Sequence, residues 1–301
     1  MKILISTILF FSLVVLSLLS FDDNDKVKRK IYNNYINIKY SLFDAWYYLD
    51  SERRGVAKLS VSADEKDKDR FIAHAGGKID THIYTDSLEA LNANYKKGFR
   101  LFELDILKTK DNFFVASHDW KRWKKIAEYD KSIPPSLDEF KRYKIYNKYT
   151  PLTMDDINNW FGEHKDAILV TDKINDPLGF SAKFIDKKRL VMELFDWYAV
   201  YQAKRENITA MPTGNLVIGL KRNIFRKLKD MNITHIAISR RFENKKLLKK
   251  LRENNIKVYA FHVNYDEGKD EKFTFCNEFK YFYGMYADEW QFKKIDCNIT
   301  E

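Results

Sequence analysis

From residue 70 onward, short runs rich in Val, Ile and Phe alternate with amphipathic stretches, and this alternation limits the fold more than any other feature of the chain. The apolar runs predict strands over 71–75, 101–107, 113–117, 167–172, 190–195, 208–211, 235–239, 257–263 and 284–287. Helical spacing predicts helices over 87–97, 136–146, 154–164, 178–187, 198–207, 224–231, 245–254 and 272–280. Ser136 with Glu139, and Thr153 with Asp156, have the spacing of helix starts. Strands that alternate with helices imply a parallel sheet covered by helices. The run 113–117 differs, because only residues 108–112 separate it from 101–107, too few for a parallel crossover. It is expected as an antiparallel hairpin partner or an extended loop. Eight strand–helix units then remain, the count of a (β/α)₈ TIM barrel. A doubly wound open sheet is the alternative. No G-x-G-x-x-G turn follows a strand, which argues against a Rossmann nucleotide site.

The rest of the chain divides by composition. Met1 and Lys2 precede an apolar run over 3–21 broken only by Ser and Thr, the pattern of a signal peptide or an uncleaved signal-anchor. Either form predicts export: a secreted, periplasmic or outward-facing membrane-anchored protein, with membrane association through this segment. Residues 22–69 are highly charged. Helical spacing over 26–49 predicts a helix or a pair of helices in this spacer, followed by a polar linker over 60–69. The barrel is expected over 70–301. Hydrophobic residues at 45% supply a substantial core. The formal charge of +10 comes from lysines spread along the whole chain, and no nucleic-acid recognition motif accompanies it, so no nucleic-acid partner is expected. Cys276 and Cys297 fit one disulfide in an exported protein or two thiols.

Residues at the carboxyl ends of barrel strands carry the chemistry. Here those ends read His74-Ala75-Gly76-Gly77, Glu103-Leu104-Asp105, His118-Asp119-Trp120 and Thr171-Asp172-Lys173. Glu103 and Asp105 lie two apart on one strand and share a face. Two carboxylates aimed into one crevice repel unless a cation lies between them, and hard oxygen ligands select Mg²⁺ or Ca²⁺. His74 and His118 end strands beside that pair, where they can serve as general base and general acid at a bound phosphate. The metal and Lys173 would neutralise phosphoryl charge. Alternation along a regular strand puts Thr171 and Lys173 on one face and turns Asp172 away. Asp172 is therefore expected to reach a metal only if the strand ends or bulges there.

The run HAGG…TDSLEALNANYKKGFRLFELDILKTKDNFFVASHDW resembles the glycerophosphodiester phosphodiesterase family, whose pattern is His-Arg-Gly, Glu-Asn-Thr, Glu-x-Asp, Thr-x-Asp-Gly and His-Asp in this order. Weaker echoes extend the likeness over about 70–290: Pro151-Leu152-Thr153, Asp172-Lys173, Phe195-Asp196, 261–264 and 286–288. The resemblance implies a phospholipase-C-like phosphodiesterase barrel. It also implies His74 and His118 as the acid–base pair, Glu103 and Asp105 as metal ligands with Asp172 joining them, and Asp119 orienting His118 or lining the site. Ala75 stands where the family has arginine, and Thr85-Asp86-Ser87 where it has Glu-Asn-Thr. Trp120, Asn264 and other aromatics near the mouth are candidates to shape the substrate pocket. The expected activity is metal-dependent hydrolysis or transphosphorylation of a phosphodiester: a glycerophosphodiester, a phospholipid headgroup or an envelope polymer. The two substitutions motivate the competing expectation of a non-catalytic envelope-binding protein on the same barrel. A glycosidase fits less well, since carboxylates adjacent on one strand do not flank a glycosidic bond.

Overall fold

The structure is a computed structural model that describes residues 12–15, 17–19, 24–50 and 68–297. Nine strands occur in this span: β1 Phe71–Ala73, β2 Leu101–Lys108, β3 Phe114–Ala116, β4 Ile168–Asp172, β5 Leu190–Leu194, β6 Thr209–Pro212, β7 His235–Ser239, β8 Lys257–Phe261 and β9 Gly284–Ala287. Eight of them form a parallel sheet in the order β6-β5-β4-β2-β1-β9-β8-β7. A single parallel bridge from Thr213 to Ala237 links its two ends, so the sheet curls into a nearly closed (β/α)₈ barrel. The remaining strand, β3, pairs antiparallel with β2 through Ile106 and Ala116, as the short 108–112 turn requires.

The helices are α1 Asp25–Asp50, α2 Leu88–Lys97, α3 Trp120–Ile126, α4 Leu137–Arg142, α5 Met154–Glu163, α6 Pro177–Ser181, α7 Trp197–Arg205, α8 Gly214–Ile218, α9 Ile224–Asp230 and α10 Lys245–Glu253. Both predicted helix-start pairs are capping boxes, Ser136 with Glu139 and Thr153 with Asp156. Each satisfies backbone N–H groups that the first turn would otherwise leave open, worth about 1 kcal/mol. Three helices depart from the sequence pattern. The helix expected over 178–187 stops at Ser181, the one over 136–146 stops at Arg142, and 272–280 contains the short helical turns Glu271–Phe273 and Thr274–Glu278.

Period-2 alternation sorts the strand residues between two cores. Phe71, Phe102, Leu104, Leu169 and Met192 point outward under the helices. Ile72, Leu101, Val170, Met211, Ala237, Tyr259 and Tyr286 point inward and fill the barrel. The described part of the spacer over 24–50 is the helix α1, whose Ile36 and Tyr40 join the outer core. Arg29 of α1 pairs with Asp196 at 2.7 Å and donates to the Asn175 carbonyl, while the Asn33 side chain accepts from Trp197 N–H. The polar linker predicted over 60–69 lies outside the described residues except for its last two. The apolar leader over 1–21 likewise lies outside them apart from 12–15 and 17–19, where Val15 and Leu19 pack on Tyr198. Among the described residues no helix is long and apolar enough to cross a membrane. Cys276 and Cys297 are joined in a disulfide, with Cα atoms 5.4 Å apart.

Candidate active site

The inner layer of the barrel generates the site by one more step of the strand period. Two residues beyond Ile72 stands His74. Beyond Leu101 stand Glu103 and then Asp105. Beyond Val170 stands Asp172, and beyond Tyr286 stands Asp288. These four strands therefore carry apolar side chains at the barrel centre and polar ones toward its carboxyl end. The register agrees, because Glu103 pairs with Val170 and Asp105 with Asp172 across β2 and β4. This corrects the expected orientation at the end of β4. Thr171 faces outward and is fully buried, while Asp172 faces into the barrel with Val170. No bulge is needed, because the inward face of β4 is that of Val170 and Asp172. Lys173 follows with a left-handed φ of 63°. That turn brings its ammonium back over the mouth, 3.1 Å from Asp172 and 3.6 Å from Asp105.

Glu103, Asp105 and Asp172 offer oxygens that all lie within 4.8 Å of one another. Glu103 and Asp105 are almost completely buried, at 1% and 2% exposure. Among the described residues Glu103 Oε1 and Asp105 Oδ2 have no hydrogen-bond partner, and neither has Oδ2 of the buried Asp86. Burial raises the pKa of Glu103, and the Asp105 and Asp86 charges raise it further. Burial also raises Asp105, with Asp172 adding to the shift and Lys173 opposing it. Crowded, dehydrated carboxylates with open lone pairs are costly as they stand and suit a hard divalent cation. The donor set therefore fits Mg²⁺ or Ca²⁺.

The backbone at 74–77 shapes one side of this site. Ala75 is left-handed (φ 48°), and its N–H donates to Glu103 Oε2 at 2.7 Å. Gly77 has φ 87°, and a Cβ there would lie 2.4 Å from the Asn94 side chain, so both conformation and space call for glycine. Asp86, in the displaced acidic position, is also left-handed and uses Oδ1 to accept the Asp105 N–H at 3.1 Å.

Each histidine has a carboxylate at Nδ1. Asp288 lies 3.2 Å from His74 Nδ1, and Asp119 lies 2.9 Å from His118 Nδ1. Both rings line the cavity. Between them stands Tyr84, its ring edge-on to both at 4.6 and 5.2 Å. Burial would raise the Asp288 pKa, but the His74 ring beside it, with Asn264, outweighs it and holds the carboxyl below its ordinary range. Asp119 is lowered in the same way: the Arg122 N–H and His118 outweigh burial. It also caps α3 through Arg122 N–H. For Lys173, burial works against the charge, yet Asp172 and Asp105 outweigh it and raise the pKa.

The cavity at this mouth holds about 640 Å³ and is lined by His74, Glu103, His118, Asp172, Lys173 and Glu193, with Phe195, Ile218, Ile238, Phe242 and Phe261 on its far wall. Four sequence candidates are not among its lining residues: Asp105 and Asp119, which stand beside it, and Asn264 and Trp120. Asn264 donates to Asp288 at 2.9 Å and to Glu271 at 3.2 Å, so it supports the His74–Asp288 pair from behind. Trp120 packs edge-on against Trp123 and Phe140 in a small core of its own. Sequence reasoning passed over Glu193, Asp288 as the partner of His74, and Tyr84. Glu193 carried a signal, as the acidic residue on the inner face of a strand two positions after Val191. Burial raises its pKa to about 8, with Asp172 adding to the shift.

No family model matches the chain, and no curated protein matches it. Solved structures do. A phosphodiesterase from Oleispira antarctica, in complex with the product sn-glycerol-3-phosphate, superposes with a TM-score of 0.58 at 17% identity, over 73% of this chain and 92% of its own. A glycerophosphoryl diester phosphodiesterase from Parabacteroides distasonis gives 0.57 at 16%, over 78% and 91%. The glycerophosphodiester phosphodiesterase from Thermotoga maritima gives 0.55 at 18%, over 73% and 93%. The chain thus has the barrel fold of solved glycerophosphodiester phosphodiesterases.

Proposed function

We propose that this protein cleaves a P–O bond of a phosphodiester in the cavity bounded by His74 and His118. The observation that carries this reading is the pairing of two cavity-lining histidines, each with a carboxylate at Nδ1, beside three clustered carboxylates of which Glu103 and Asp105 each keep an oxygen without a partner among the described residues. A neutral imidazole whose Nδ1 proton is held by Asp288 has a free Nε2 lone pair. His74 can therefore take the proton of an attacking water or substrate hydroxyl as the new P–O bond forms. A protonated His118, its charge supported by Asp119, gives its Nε2 proton to the leaving alkoxide as the old P–O bond breaks. The two steps leave one proton moved from nucleophile to leaving group. A divalent cation held by Glu103, Asp105 and Asp172, Mg²⁺ or Ca²⁺, would withdraw charge from the phosphoryl oxygens. Lys173 stands beside the same carboxylates and supplies a second positive group for those oxygens.

The substrate class we favour is a glycerophosphodiester, free or derived from lipid. The likeness to the Oleispira antarctica phosphodiesterase supports a glycerol phosphate half. We also place the protein outside the cytoplasm, exported by the segment 1–21. The Cys276–Cys297 disulfide supports this, since such bonds persist in oxidising compartments. Phosphorus NMR on a panel of glycerophosphodiesters, lysophospholipids and teichoic-type polymers tests the activity. A new phosphomonoester or cyclic phosphate signal is expected, reduced at least about 100-fold in rate by His118→Ala. Undiminished turnover by that variant, or no turnover of any diester by the parent protein, would reject the assignment.

A further inference from the structure

Glu193 is a buried carboxyl that the proton transfers above do not use. It sits on the inner face of β5, 7% exposed, and lines the catalytic cavity. Its Oε2 accepts the Tyr286 hydroxyl at 2.9 Å. Its other oxygen has no hydrogen-bond partner among the described residues, and the carboxyl lines the cavity. Tyr286 is itself fixed, since its ring lies edge-on to His74 at 5.7 Å and to Phe261 at 6.4 Å. The same cavity is lined by the apolar side chains Phe195, Ile218, Ile238, Phe242 and Phe261. Thr213, Asn215, Ser239 and Arg241 also line the cavity, but among its lining residues outside the carboxylate cluster Glu193 is the nearly buried carboxyl that keeps one oxygen open. A ligand that covers this oxygen strips it of water, so one that hydrogen-bonds it is favoured over one that cannot.

We propose that Glu193, held by Tyr286, is a specificity-determining residue that hydrogen-bonds a free hydroxyl of the substrate's alcohol. The phosphate end of the ligand rests on the phosphodiester reading above; the hydroxyl contact is tested by binding and does not need turnover. The probes are sn-glycerol 3-phosphate and n-propyl phosphate, which share the phosphate and differ by the two hydroxyls. Each is titrated calorimetrically into the full chain in Mg²⁺ buffer. The parent protein is expected to bind the glycerol compound about tenfold tighter or more. Glu193→Gln, which keeps a hydrogen-bonding group of the same shape, retains the preference. Glu193→Leu reduces it to within about twofold, because the leucine satisfies neither compound. A merely structural role would weaken both ligands alike and leave their ratio unchanged, and that result overturns the proposal. So does an absence of preference in the parent protein, which needs no variant to fold, or a stronger preference for ethanolamine phosphate, which would assign the carboxyl to a cation. An intact preference in a protein that turns over no diester removes the catalytic reading and leaves this inference standing.

Discussion

Glu193→Gln should stabilise the metal-free protein in a way that depends on pH. The buried Glu193 carboxyl titrates at about 8 in the folded barrel, and its ordinary value is 4.5. The folded state therefore holds a proton that the unfolded chain releases. Below pH 4.5 both states are protonated and the group is neutral in the balance. As the pH rises from 4.5 to about 8 the unfolded state gains the free energy of ionisation and the folded state does not, so stability falls across this window. At ~1.36 kcal/mol per pH unit, the whole shift corresponds to roughly 5 kcal/mol above pH 8, and to roughly 3 kcal/mol at pH 7. Glutamine cannot ionise and still accepts the Tyr286 hydroxyl, so the variant escapes this loss. Urea unfolding of both proteins in EDTA, from pH 4.5 to 9, should give curves that coincide at the acid end and diverge steadily toward the alkaline end. A gap that stays constant with pH would refute the reasoning, because it would mean that the carboxyl is already ionised in the barrel or that the substitution acts through packing.

Four other outcomes follow from the structure. Asp288→Asn should lower kcat about tenfold or more with little change in KM, since His74 loses the carboxylate at Nδ1 while the cavity keeps its shape; a KM effect alone would contradict this role. Mg²⁺ or Ca²⁺ at about 100 times its dissociation constant should stabilise the protein by about 2.7 kcal/mol. Asp105→Asn should remove that gain while stabilising the metal-free form, and a metal response that survives the substitution would move the site elsewhere. Reduction of the Cys276–Cys297 disulfide, which spans 21 residues, should cost about 3 kcal/mol in urea unfolding, and an unchanged midpoint would show that the tail is held without it.

Much of the architecture was legible because it depends on local patterning. Strand existence followed from β-branched and aromatic runs, and the antiparallel place of β3 from a turn too short to cross the sheet. Both capping boxes were visible as Ser136/Glu139 and Thr153/Asp156. Helix ends were less legible. The segment after α6 looks helical over 178–187, yet the chain leaves the helix at Ser181 and returns to β5 through a short helical turn at Lys187–Arg189.

By itself the sequence determined which residues stand at strand ends. His74, Glu103, Asp105 and His118 are each next to an apolar run whose length is set by the barrel, so their place is a local property. Only the tertiary structure decided which way the end of β4 faces. Side chains alternate along a strand, but the choice between the two faces belongs to the neighbour in the sheet. The pairing of Val170 with Glu103 turns Asp172 inward and Thr171 outward. Tertiary structure likewise decided that Asp288, 214 residues after His74 in the chain, is its partner, and that Glu193 meets Tyr286 across the barrel. These pairs are set by barrel closure, which no local pattern encodes.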